Sequence, residues 1–163
     1  MPQLTGGCLC GAVRYTASAE PLMTSVCHCR DCQKFTGSAF GALAILPTES
    51  VTINGTMKSF TSLGGSGKPI LRYFCPECGS SIAEEASVVP GRIVLNIGTF
   101  DEPKSVAPAR EIFCDDALPW VHLTGDMPRF AKRLRRTLVP VRPRRDQGHG
   151  RPPNSAARNT QEG

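Results

Sequence analysis

Eight cysteines fall in this chain of 163 residues, and seven of them are grouped. Cys8 and Cys10 form a CxC in "GGCLCGAVRY", Cys75 and Cys78 a CxxC in "FCPECGSSI", and Cys27, Cys29 and Cys32 lie within six residues in "TSVCHCRDCQKFTGSAF". Thiols at these spacings are metal ligands more readily than crosslinks, because disulfides are rare in reducing compartments. A CxC and a CxxC together make four thiolates, the closed tetrahedral set of structural zinc. Pro76 and Gly79 around the second pair let backbone amides turn toward the sulfurs. Pairing across about 65 residues ties the first strand to the middle of the domain, a staple suited to a modest core.

Cys27, Cys29 and Cys32 are one short of a closed site. Three ligands from one turn reach a single ion but do not easily wrap round to complete the tetrahedron, and an open vertex is what a catalytic zinc keeps. Three thiolates on Zn²⁺ leave a net charge of −1, which weakens the Lewis acid and disfavours making hydroxide. Such a site is better suited to hold a soft ligand, for example a substrate thiolate delivered to an aldehyde carbon. The alternative is that the isolated Cys114 closes this site and makes it structural.

Neighbouring residues extend the chemistry. Arg30 and Lys34 flank the ligands and could meet the carboxylates of an acidic thiol, or only offset the thiolates. His28 sits between two ligands and is expected to point away from the metal, with a general-base role as the minor alternative. Thr36 and Ser38 could donate to a bound hydroxyl, and Gly37 allows a tight turn. Trp120, the only tryptophan, is expected to pack against the domain, with a stacking wall as the minor alternative. His122 reads as a surface or edge histidine.

The elements that must position these residues are short. "AVRYTA" (12–17), "FGALAIL" (40–46), "SVTING" (50–55), "ILRYFC" (70–75) and "GRIVLNIGTF" (91–100) are rich in β-formers and punctuated by Gly, Asn and Ser, which predicts a mainly β, antiparallel fold. "NIGTFD" reads as a strand end and turn with Asp101 capping. Helical candidates are one turn in "CRDCQKFTG" and an amphipathic helix over 126–138, with Asp126 as N-cap and Pro128 in its first turn.

Composition bounds the rest. The apolar fraction is 40% and the aromatic fraction 6%, a lean core for one domain. No run approaches the roughly 20 apolar residues of a membrane helix and no signal-like segment follows Met1, so the expectation is a soluble, cytoplasmic protein with no membrane partner. The net charge of +5 is uneven: from Arg129 onward ten bases meet two acids, whereas residues 1–128 hold nine bases and twelve acids. Residues 139–163, rich in Arg and Pro, read as a disordered tail beyond a zinc domain of residues 1–138.

The three cysteine motifs in this order, followed by "NIGTFD" and "PW", resemble the glutathione-dependent formaldehyde-activating enzyme family, also called centromere-protein-V-like, over about residues 3–125. The resemblance implies a zinc-bound, Mss4-like β fold with few short helices and two Zn²⁺ per chain. One would be structural on Cys8, Cys10, Cys75 and Cys78, the other catalytic on Cys27, Cys29 and Cys32. It also implies a carbon–sulfur lyase joining a small thiol such as glutathione to formaldehyde as S-hydroxymethylglutathione. Competing readings are a non-catalytic zinc module whose basic tail contacts nucleic acid or an acidic partner, and an iron–sulfur protein.

Overall fold

The computed structural model describes residues 3–132. Among the described residues ten strands form two sheets, with one α-helix: β1 (Leu4–Gly7), β2 (Arg14–Ala17), β3 (Met23–Cys27), α1 (Arg30–Thr36), β4 (Gly41–Pro47), β5 (Val51–Asn54), β6 (Lys58–Leu63), β7 (Pro69–Phe74), β8 (Ser81–Ala86), β9 (Arg92–Asn96) and β10 (Glu111–Ile112). The small sheet has the order β1-β2-β5, and the large one β10-β3-β4-β9-β8-β7-β6. Every named pairing is antiparallel except β10 on β3, as the mainly β, antiparallel pattern predicts.

Each of the five β-rich runs forms a strand. Five further strands carry no clear local signal: β1 has two glycines, β10 has two residues, β3 and β6 are broken by Ser and Thr, and β8 reads Ser-Ile-Ala-Glu-Glu-Ala, a composition fit for a helix. Their pairing with neighbours overrides weak local preference.

The period of two assigns the large sheet two working faces. Ala44 and Leu46 of β4 and Ile93 and Leu95 of β9 point toward the small sheet, where they meet Val13, Tyr15 and Ala17 in the main core. Leu43 and Val94, one residue out of step, point the opposite way and pack with Cys27 and Cys32. Alternation within two strands therefore separates the core from the face that carries the three-cysteine cluster.

Two expectations fail for tertiary reasons. Residues 126–132, the described part of the segment expected as a final helix, contain no helix. Glu111 N–H donates to Pro128 O at 2.9 Å, Phe130 N–H donates to Glu111 O at 2.9 Å, and the Phe130 side chain is buried. Pairing beside β10 and burial of one ring outweigh an amphipathic pattern that rests partly on residues outside the described ones. The strand end and turn over 96–101 form as expected, but the Asp101 side chain does not cap that turn: it accepts from two Arg14 guanidinium nitrogens (2.9 and 2.5 Å) and from Thr5 Oγ1 (2.6 Å), so it ties β1 to β2. The arginine, then the threonine, hold its carboxyl below the usual range. The expected tail, 139–163, lies outside the described residues.

Candidate functional site

The first cysteine cluster joins two hairpin tips. Cys8 and Cys10 lie in the turn between β1 and β2, while Cys75 and Cys78 lie in the turn between β7 and β8. The four Sγ atoms lie within 4.8 Å of one another, with Cys8–Cys10 at 3.5 Å and Cys10–Cys75 at 3.8 Å. Val13 N–H donates to Cys8 Sγ at 3.2 Å, and Leu9 N–H crosses to Ser80 Oγ at 3.1 Å. The Ser80 hydroxyl, then its amide, lower the Cys78 thiol to about 5. One hairpin belongs to each sheet, so an ion here would bind the two layers together.

The second cluster is built at one strand-to-helix junction. Cys27 ends β3, Cys29 caps α1 and accepts from Cys32 N–H at 3.4 Å, and Cys32 lies in the first turn. Gly37 ends the helix with φ 63°, the left-handed turn that glycine adopts without a Cβ clash. The three Sγ atoms lie within 4.8 Å of one another, and among the described residues no fourth Cys, His, Asp or Glu joins them at that spacing. Neighbouring thiols share one negative charge: Cys27, then Cys32, lower Cys29 to about 2, while Cys29 first of all pushes Cys27 up to about 12, and Cys27, then Cys29, push Cys32 up. Three thiols this close together fit a soft cation.

Cys114 does not belong to this set. Its thiol groups instead with His28 and Glu111, whose donor atoms all lie within 4.8 Å of one another. His28 is 1% exposed and its Nε2 lies 2.8 Å from Glu111 Oε2, so it faces away from the cysteines toward the carboxylate. The chain reaches Cys114 through Phe113, at φ 57° the one non-glycine residue with positive φ among those described. A bulky residue in that region is strained. Its ring packs against the cluster of Cys27, Cys32 and Leu43.

The outer face of α1 opens onto a cavity of about 300 Å³, lined by Arg30, Gln33, Lys34, Ser38, Leu118 and Trp120 among others but by none of the three cysteines. Trp120 is 68% exposed, so it forms a wall of this cavity and does not pack into the domain as its residue type suggests. Thr36 is not free to serve a ligand, because its hydroxyl donates to Cys32 O at 2.8 Å and lies 3.2 Å from Phe40 O. His122 is exposed, as expected.

On the face that carries the cluster, β7 and β8 contribute residues that spacing could not reveal. Arg72 and Glu84 are both buried, with Arg72 Nε 3.6 Å from Glu84 Oε2 and its Nη2 3.6 Å from Asp31 of α1. Burial raises the Glu84 carboxyl to about 7, against which Arg72 acts only in part. The acid is held more tightly protonated in the fold than in the open chain, so its contribution to stability is complete below about 4.5 and lost as pH rises through 7. Stability from thermal melts between pH 5 and 8 is expected to fall by up to about 3 kcal/mol on this account. In Glu84→Gln that slope disappears.

With this geometry in hand, relatives become informative. The profile of the family described as "Glutathione-dependent formaldehyde-activating enzyme" matches residues 3–116, most of the chain. The chain belongs to this family. The matched span includes all seven clustered cysteines and Cys114. An uncharacterized lyase of Schizosaccharomyces pombe is 32% identical over 82 residues, covering 50% of this chain and 57% of that protein. A protein of Emericella nidulans, provisionally named a glutathione-dependent formaldehyde-activating enzyme, is 29% identical over 83 residues, covering 48% of this chain and 42% of its own length. The chain thus spans about half the length of these curated relatives. A Rhodobacter sphaeroides crystal structure aligns with TM-score 0.46 and 23% identity, over 64% of this chain and 91% of that one. No helix among the described residues is long and apolar enough to cross a membrane.

Proposed function

We propose that this family member is a zinc-dependent carbon–sulfur lyase-type enzyme, which handles the adduct of a small thiol, glutathione or a close analogue, with formaldehyde or a related aldehyde. The observation that carries the reading is the set of three thiols with no fourth donor among the described residues, at the start of a helix whose outer face puts Arg30 and Lys34 in a cavity walled by Trp120. Cys27, Cys29 and Cys32 would hold one zinc ion; Cys8, Cys10, Cys75 and Cys78 would hold a second, structural one. When bound, the first ion supplies an open position for a soft sulfur ligand and keeps a thiol deprotonated at neutral pH.

The chain's own residues supply the remainder. Arg30 and Lys34 project from the helix that begins at the thiolate cluster, where they would anchor the two carboxylates of glutathione and turn its sulfur toward the cysteines. Trp120 and Leu118 give the peptide an apolar wall. Phe113, packed on the cysteines, limits water there. In the addition, sulfur bonds to the aldehyde carbon, the C=O π pair moves to oxygen, and the proton lost by the thiol ends on that oxygen.

The test is calorimetric titration of glutathione into protein of known zinc content, followed by NMR of labelled formaldehyde. Saturable binding that requires the zinc of the three-cysteine site, and accelerated adduct formation, are expected. No binding with two zincs present removes the proposal. The Arg30→Ala/Lys34→Ala protein should show KM for glutathione raised by about 10–100-fold, from two charge-assisted contacts of roughly 1.5–3 kcal/mol reduced by exposure. For a thiol without carboxylates, KM should be nearly unchanged. The alternative, a non-catalytic module that contacts nucleic acid or an acidic partner, depends on residues 139–163, outside the described ones.

A further inference from the structure

Glu111, in β10, lies 83 residues from the His28 it touches. His28 is the single residue between the ligands Cys27 and Cys29, so its placement sets their relative reach. Three bonds place it. Its Nε2–H donates to Glu111 Oε2 at 2.8 Å, its backbone N–H donates to Ile112 O at 3.0 Å, and its carbonyl accepts from Gln33 Nε2 at 2.6 Å. The same Gln33 nitrogen lies 3.1 Å from Asp116 O, which links α1 to the turn after Cys114.

Glu111 is itself fixed on two sides. Arg129 Nε stands 3.3 Å from Glu111 Oε1, and the backbone of residues 128–130 makes two hydrogen bonds to Glu111. Glu111 and His28 are 5% and 1% exposed, so water competes little for these contacts. No other hydrogen bond in the described fold grips the imidazole: His28 Nδ1 is buried without a partner. We infer that Glu111 is a positioning residue for the three-cysteine metal site, acting through His28, and that Arg129 holds it in place. This rests on reading Cys27, Cys29 and Cys32 as metal ligands.

His28, Glu111 and Cys114 themselves offer nitrogen, oxygen and sulfur at ligand spacing. A third ion there is disfavoured, because Arg129 already supplies the positive charge against Glu111 and a dication would stand beside a guanidinium. The chemistry on this side is therefore orientation. Partners that orient ligands commonly alter metal affinity by about 10–100-fold when removed.

The experiment measures zinc release from the full chain to excess chelator, with a colorimetric dye following two phases. Cys29→Ser identifies the phase of the three-cysteine site by abolishing it. In Glu111→Ala that phase should accelerate by about 10–100-fold while the four-cysteine phase keeps its rate. Glu111→Gln, which retains an acceptor for His28, should recover most of the difference. Cobalt-substituted protein should show altered d–d bands for the three-cysteine site alone, a signature that general loosening does not produce. Wild-type rates in Glu111→Ala, equal acceleration of both phases, or no recovery in Glu111→Gln each overturn the inference. Should Glu111→Ala not fold, Arg129→Met decides: selective acceleration supports it and an unchanged rate overturns it. A third equivalent of zinc that Cys114→Ser removes would also overturn it, by making the cluster a ligand set. Wild-type protein that carries only the four-cysteine zinc removes the proposed function and this inference together, an outcome distinct from all the others.

Discussion

Cys29→Ser protein is expected to carry one zinc where the wild type is expected to carry two, to lose the proposed adduct formation down to the spontaneous background, and to keep its fold. Cys29 is central to the second cluster: it caps α1, accepts from the Cys32 amide, and is the thiol that Cys27, then Cys32, make more acidic. Serine retains a capping oxygen, so the helix should survive. Its hydroxyl is a far poorer ligand for a soft cation at neutral pH, and the loss of affinity should exceed the roughly 10–100-fold that follows removal of an orienting partner. Metal content by mass spectrometry, circular dichroism and a formaldehyde consumption assay check the three parts separately. Loss of both zincs at once, or of the fold, would count against separate roles for the clusters.

Cys75→Ser should have the opposite phenotype, with loss of the cooperative fold and of both metal sites. Cys75 is fully buried at the tip of the β7–β8 hairpin, and its partners Cys8 and Cys10 come from the β1–β2 hairpin of the other sheet. The small sheet has only three short strands, and the core between the layers is lean in aromatic residues. A structural zinc contributes apparent folding energy of about 10–16 kcal/mol, whereas whole domains are stable by about 5–15 kcal/mol. Removal of one ligand therefore takes away most of the margin. Chelation of the wild type should do the same, with a thermal transition that is lost or strongly lowered in calorimetry. A Cys75→Ser protein that melts as the wild type does would show that packing alone holds the sheets together.

Ligand spacing, strand-forming runs and glycine turns are local properties, and they are legible in the amino-acid sequence. CxC, CxCxxC and CxxC each place thiols within reach of one ion whatever the remainder of the chain does. Gly37 and the β-rich runs act through their own φ/ψ preferences. The amphipathic pattern over 126–138 misleads because Phe130 is buried and Glu111 takes up the backbone groups of residues 128 and 130. Trp120 misleads because residue type does not reveal whether a cavity lies beside it.

By itself, then, the sequence determined which cysteines cluster, that the architecture is mainly β and antiparallel, and that α1 begins at the three-cysteine turn. Tertiary structure alone decided where Cys114 goes, that Trp120 shares a cavity with Arg30 and Lys34, that Arg72 and Glu84 are buried on the cluster's face, and that His28 is held by Glu111. The division has a physical origin. Ligand spacing and strand patterns act over a few residues, while a buried ion pair or hydrogen bond depends on which distant strands the sheet brings side by side.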